Sequence, residues 1–285
     1  MKRELAAAVA IPLVLAALFL APPIVFNALV AALTLGAVWE FYKLAERTGH
    51  PVAKTIGIGA SALLLGGAAL LWGPIHFETS SGEVVTIAVR TGPAFWFGAG
   101  IAAVLLSAVA PLFSGVAPPA ALAGAASTAF GMFSIALPAA SICYLRSVSP
   151  RAVVTLLLIV WACDSCAYYF GRRLGRHRLA PQVSPNKTWE GTIAGLIGAA
   201  LFGAAAGTWV LLPELGSLRG LAAGAFVSTA GQIGDLVESL WKRGAGVKDS
   251  GTFLPGHGGF YDRLDSLIFA GPVMALFLAG SGMSF

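Results

Sequence analysis

Apolar residues run along this chain in blocks of about twenty, separated by short polar or Pro- and Gly-containing connections. The blocks fall at about 4–21, 24–44, 54–73, 93–111, 118–138, 152–170, 190–212, 219–238 and 265–281. Each is long enough for a helix to cross the hydrocarbon core of a bilayer, which takes about 20 residues. The pattern predicts an all-α, polytopic integral membrane protein of about nine transmembrane helices. Pro22-Pro23 marks a turn between the first two blocks or a kink within a longer one. The eighth carries Asp235 and Glu238 near its end. Met1-Lys2-Arg3 before an apolar run has the outline of a signal peptide. It has no small-residue cleavage site leading into a polar region, and a second apolar block follows at once, so it reads as a retained first span. In the connection 74–92, the run Val84-Val85-Thr86-Ile87-Ala88-Val89 shows some alternation and suits a short hairpin or interfacial strand.

Composition reinforces the pattern. Of 285 residues 57% are hydrophobic and 11% charged, against about 25% charged in a soluble domain. A water-soluble enzyme is excluded, and so is intrinsic disorder, since apolar content far exceeds that of chains that fail to collapse. The three cysteines, Cys143, Cys163 and Cys166, make no disulfide framework. Cys163-x-x-Cys166 has redox spacing but lies within a span, where small packing residues are expected.

The net charge of +5 acquires meaning from its placement. With nine spans, fourteen of the eighteen bases fall on one side, and Arg90, Arg146, Arg151 and Arg219 on the other. Positive residues stay cytoplasmic, so the N-terminus is expected inside. The cytoplasmic membrane of a cell is the expected location. Residues 1–150 are mostly Ala, Leu, Val and Gly and read as a scaffold of transmembrane helices. Residues 151–285 hold the candidate chemistry in two cytoplasmic segments, 171–190 and 239–265.

Upstream of the first segment, Asp164 sits in an apolar helix. Its cost there, on the order of 2.5–3.5 kcal/mol, means that it should face a cavity or a cation. Tyr168 and Arg172 follow at intervals of four, on the same face. Arg172, Arg173, Arg176 and Arg178 suit anionic headgroups or simply fix topology. Ser184-Pro185-Asn186-Lys187-Thr188 places a lysine and hydroxyls before a new helix, whose free N–H groups suit a phosphate. The second segment mixes Lys242, Arg243, Lys248, Asp249, His257, Asp262, Arg263 and Asp265 with six glycines. On a helix Asp235 shares a face with Glu238, Ser239 and Lys242, and Asp262 shares one with Asp265. Carboxylates among phosphate-binding bases suit Mg²⁺, which takes oxygen ligands and bridges phosphates. Glycines such as Gly258 and Gly259 let the backbone approach an anion. No Walker sequence, Gly-x-Ser-x-Gly elbow or His-Glu-x-x-His pair is present.

From Ser239-Leu-Trp-Lys242-Arg243 through Lys248-Asp249-x-Gly251, Leu254-Pro255-Gly256-His257-Gly258-Gly259 and Asp262-Arg263-x-Asp265, the chain resembles the signature of the phosphatidate cytidylyltransferase (CDP-diacylglycerol synthase) family without a gap. Asp164-x3-Tyr168-x2-Gly171-Arg172 and Ser184-Pro185-x-Lys187-Thr188-x-Glu190-Gly191 resemble a second motif region of that family, and Cys166 stands where a small residue such as Gly is expected. The resemblance covers about residues 160–270. It implies an Mg²⁺-dependent membrane enzyme that makes CDP-diacylglycerol and pyrophosphate from CTP and phosphatidate, working at the cytoplasmic face. It implies Asp235 and Asp262 as metal ligands, with Asp249 and Asp265 as further ligands or their neighbours. A second, monovalent cation such as K⁺ beside Mg²⁺ also belongs to what it implies. Lys187, Lys242, Arg243, Lys248 and Arg263 are expected to offset phosphate charge, and His257 to donate a hydrogen bond to a phosphate. CTP, phosphatidate and the bilayer are the expected partners, with no nucleic acid. A homodimer is expected on the base rate of symmetric assemblies, although the Gly- and Ala-rich early spans suit packing within one subunit equally well. Two other readings stay open on the residues: a lipid-alcohol kinase of similar architecture, and a transporter with Asp164 and Asp235 as ion sites.

Overall fold

A computed structural model of the chain describes residues 12–71, 75–78, 84–87, 93–113, 116–208, 212–251 and 258–280. Its helices are α1 (12–19), α2 (Pro23–Arg47), α3 (Lys54–Leu71), α4 (Pro93–Phe113), α5 (Pro118–Gly131), α6 (Leu137–Val148), α7 (Pro150–Leu174), α8 (Trp189–Ala206), α9 (Ser217–Gly244) and α10 (Tyr261–Gly280). Among the described residues five helical segments are long and apolar enough to span a bilayer: Pro23–Arg47, Pro118–Val148, Pro150–Leu174, Trp189–Ala206 and Tyr261–Gly280. The shorter apolar helices Lys54–Ala68 and Gly98–Phe113 accompany them. At 28 residues α9 is longer than most of these, but more polar, because it carries Asp235, Glu238, Lys242 and Arg243.

Proline sets several boundaries. Pro23, Pro118 and Pro150 begin helices, where a missing N–H costs nothing. Ser149 caps α7 by accepting a hydrogen bond from Arg151 N at 3.2 Å. The block expected at 118–138 runs further, to Val148, through a π turn at Met132–Ala136. That turn ends two residues before Pro138, which has no N–H to continue the ladder. The block expected at 190–212 stops earlier, at Ala206, before a 3₁₀ turn at Pro213–Leu215.

Among the described residues the all-α expectation holds except for two small antiparallel hairpins. β1 (Ile75–Glu78) pairs with β2 (Val84–Ile87), Ile75 opposite Ile87, where alternation pointed to a hairpin. β3 (Arg178–Ala180) pairs with β4 (Ser184–Thr188) in the segment between α7 and α8.

Helices α7 to α10 pack in sequence, with glycine at the closest approaches. Gly224 lies against the Ala199 carbonyl and Gly220 against that of Gly203, so a side chain at either would meet backbone, which cannot give way. Gly191 lies against Gly171 and the Ala167 carbonyl, drawing the start of α8 onto the end of α7. Tyr42 OH donates to the Thr128 carbonyl at 2.9 Å, and Ala53 N donates to Thr128 Oγ1 at 3.1 Å. These bonds fix α5 against the turn after α2. The ends of α2, α7 and α9 and the starts of α8 and α10 thereby converge.

Candidate active site

A cavity of about 580 Å³ opens between the end of α7, the β3–β4 hairpin, the start of α8 and α9. From α7, Asp164, Tyr168 and Arg172 face it, as their four-residue spacing predicts. Arg172 Nη1 donates to Tyr168 OH at 3.2 Å. Arg178, Asn186, Lys187 and Thr188 enter from the β3–β4 hairpin, Thr192 from α8, and Gln232 and Asp235 from α9. Asp164 is exposed on this polar wall, the environment that an intramembrane carboxylate requires. Lys187 Nζ reaches Asp235 Oδ2 at 2.7 Å, joining the two motif segments.

The hairpin explains how Lys187 is aimed. Thr188 closes β4 and caps α8, its Oγ1 accepting from Gly191 N at 3.2 Å. Glu190, in the first turn of α8, accepts from the backbone N of His177 at 3.3 Å and pairs with its Nδ1 at 2.7 Å. Arg243 Nε donates to the Val183 carbonyl at 3.2 Å, tying the turn of the hairpin to the end of α9. Arg243 thus braces the hairpin and does not line the cavity. Ser184 lies in β4 outside the cavity lining.

Beside Asp235 the carboxylates form two groups. Oxygens of Asp235, Glu238 and Asp265 lie within 4.8 Å of one another. Glu238 is fully buried, and its Oε1 has no hydrogen-bond partner among the described residues. Lys242 Nζ sits 2.5 Å from Glu238 Oε2 and 2.6 Å from Asp262 Oδ1. The other oxygen of Asp262, Oδ2, accepts from Ser250 N at 2.9 Å, Ser250 Oγ at 2.9 Å and Gly259 N at 2.7 Å. Asp262 holds the loop before α10 and Lys242, and the group of three adjacent carboxylates consists of Asp235, Glu238 and Asp265. Lys248, Asp249 and Arg263 are exposed, and Asp249 stands apart from that group. Gly258 adopts φ +78, a conformation that favours glycine, and a side chain there would meet the Asp262 carboxylate. His257 lies outside the described residues.

Three oxygen-donor side chains, one buried and without a hydrogen-bond donor on Oε1, form a set that fits Mg²⁺. Arg178 and Gln232 also turn into the cavity. The sequence signals for Arg178 were ambiguous, and Gln232 offered none beyond being polar within a span. Glu40 of α2 is buried, and its Oε2 accepts from Ser250 Oγ at 2.8 Å and Tyr261 N at 2.9 Å. The rule that singled out Asp164, a carboxylate inside an apolar block, marks Glu40 as well.

Known proteins are similar to this chain over about half of its length. The phosphatidate cytidylyltransferase of Brucella suis biovar 1 (strain 1330) is 43% identical over 152 residues, 52% of this chain and 56% of that protein. That of Staphylococcus saprophyticus subsp. saprophyticus is 42% identical over 163 residues, 53% of this chain and 58% of that protein. That of Staphylococcus aureus (strain COL) is 42% identical over 144 residues, 48% and 52%. The chain spans about half the length of the curated relatives it matches. The sequence profile of the cytidylyltransferase family, however, matches residues 1–280. With a match over nearly its whole length, the chain belongs to the cytidylyltransferase family.

Proposed function

We propose that the chain is a CTP:phosphatidate cytidylyltransferase, giving CDP-diacylglycerol and pyrophosphate. The observation that carries this reading is the single cavity in which Arg172, Arg178 and Lys187 meet Asp235. It combines a cationic wall for phosphates with carboxylates for a divalent ion. The activity for which the relatives are named supports it. An oxygen of the phosphatidate phosphate bonds to the α-phosphorus of CTP as the bond from that phosphorus to the leaving pyrophosphate breaks. The nucleophile is already an anion, so positioning and charge neutralisation dominate and no strong base is needed. Lys187, Arg172 and Arg178 offset the repulsion between two polyanions, and the first turn of α8 borders the same space. Asp235, Glu238 and Asp265 would hold Mg²⁺, with Asp262 holding Lys242 beside them. When bound, the ion supplies charge neutralisation on the phosphates. A monovalent cation such as K⁺ would use the same oxygen-rich surroundings.

The reading places nine spans in the membrane, with the N-terminus and the site cytoplasmic. Supporting it, Glu40 near the end of α2, Lys187 before α8 and Asp262 at the start of α10 lie at one end of the bundle. In a nine-span chain all three fall on the side with fourteen of the eighteen bases. Soluble CTP meets a lipid headgroup there.

Incubating the detergent-solubilised protein with phosphatidate and CTP labelled at either the α- or the γ-phosphorus tests the reaction. Label from the α position is expected in the lipid fraction. Label arriving only from the γ position would overturn the proposal in favour of a lipid-alcohol kinase.

A further inference from the structure

The loop between α9 and α10 carries Lys248 and Asp249 and delivers Asp262, yet part of its anchorage comes from the other half of the chain. Glu40, on the fifth turn of α2, is 5% exposed. Its Oε2 accepts from Ser250 Oγ and from Tyr261 N, the first residue of α10. Gly251 and Gly259 lie directly against this carboxylate, where any side chain would collide with it. Four residues earlier on the same face, Gly36 makes room for the ring of Phe260. Ser250 is the link onward: its Oγ lies 2.8 Å from Glu40 Oε2 and 2.9 Å from Asp262 Oδ2, and its N donates to Asp262 Oδ2. A hydroxyl has one proton, so Ser250 shares it between the two carboxylates. A path of hydrogen bonds thus runs from Glu40 through Ser250 and Asp262 to Lys242, which pairs ionically with Glu238.

We propose that Glu40 is a positioning residue for the reaction, holding the loop before α10 from α2 so that Asp262 and Lys242 stand in register with Asp235, Glu238 and Asp265. Glu40 itself does not line the substrate cavity. This role rests on the cytidylyltransferase reading of the site, and it makes residues 1–150 part of the active centre as well as its scaffold. A carboxylate suits the task because one oxygen accepts both a backbone N–H and a hydroxyl, and charge-assisted bonds are the shorter and stronger kind.

The test compares Glu40→Ala, Glu40→Gln and Ser250→Ala in full-length protein, with kinetics and amide hydrogen exchange measured on the same preparations. In Glu40→Ala, kcat is expected to fall roughly 10- to 100-fold, the cost typical of misplacing reacting groups by about 1 Å, with KM for CTP changing by less than about threefold. Exchange at Tyr261 and Gly259 should accelerate while exchange in α7 and α8 stays as in wild type. Glu40→Gln keeps an acceptor oxygen and should recover most of the rate. Ser250→Ala should fall on the same side as Glu40→Ala. If Glu40→Ala does not insert, Glu40→Asp, one methylene shorter, carries the same expectation. Wild-type kcat in Glu40→Ala or Glu40→Asp, or unchanged exchange at Tyr261, would overturn the role. Failure of the wild-type protein to turn over CTP would instead overturn the reaction, and the exchange data would still decide whether Glu40 holds the loop.

Discussion

At the scale of single residues, the site is a balance of buried and half-buried carboxylates against few cations. Lys242 serves two acids, Glu238 and Asp262, and Lys187 serves Asp235. Removing one partner of such a network leaves the other desolvated and unpaired, which is why single changes should be severe. Asp235→Asn is expected to lower Mg²⁺-dependent turnover by at least about 100-fold with the protein still inserted, as measured by initial rates against Mg²⁺ concentration. Glu238→Gln should raise the Mg²⁺ concentration needed for half-maximal rate by about 10-fold or more; an unchanged value would remove Glu238 from the ion's surroundings. The acids Asp235, Asp262 and Asp265 and the base Lys187 were legible in the sequence, because charged residues at helix ends in a chain this apolar need a reason. Their division of labour was not. Helical spacing puts Asp262 on one face with Asp265, but only the fold shows Ser250 N, Gly259 N and Lys242 converging on Asp262 and leaving Glu238 beside Asp235.

At the scale of elements, glycine decides how closely the helices and the loop before α10 come together. Gly224→Leu places a side chain against the Ala199 backbone, and overpacking of this kind costs roughly 1–3 kcal/mol. Its resistance to unfolding in a titration with SDS should fall accordingly, and wild-type resistance would contradict the tight α8–α9 contact. Gly258→Ala combines a positive-φ penalty of about 1 kcal/mol with a side chain directed at the Asp262 carboxylate. Activity should drop more than stability, shown by comparing turnover with unfolding on one preparation. Apolar block length gave the helices their places, and alternation at 84–89 anticipated the β1–β2 hairpin. The β3–β4 hairpin was missed because Arg178 to Thr188 is polar on both faces and carries two prolines, Pro181 and Pro185; its strands are held by Trp189 N, Arg243 and the Glu190–His177 pair, none of which follows from local pattern. The π turn before Pro138 was equally invisible, since it is a backbone adjustment within an apolar run.

At the scale of the molecule, two halves that differ in composition share one site. The apolar first half reaches the second through Glu40, which accepts from Ser250 and Tyr261, and the second half supplies the cavity and the carboxylates. The orientation proposed above makes a direct prediction. In a background with Cys143, Cys163 and Cys166 replaced, Arg178→Cys should react with an impermeant maleimide only from the cytoplasmic side, and Arg151→Cys only from the opposite side. Reaction of both from one side would break the nine-span count. The most direct test of the whole account is pyrophosphate release from CTP by the solubilised protein, measured with and without phosphatidate and with and without Mg²⁺. The account predicts release only when lipid and metal are both present; release that persists without phosphatidate, or none from folded protein supplied with both, would contradict it.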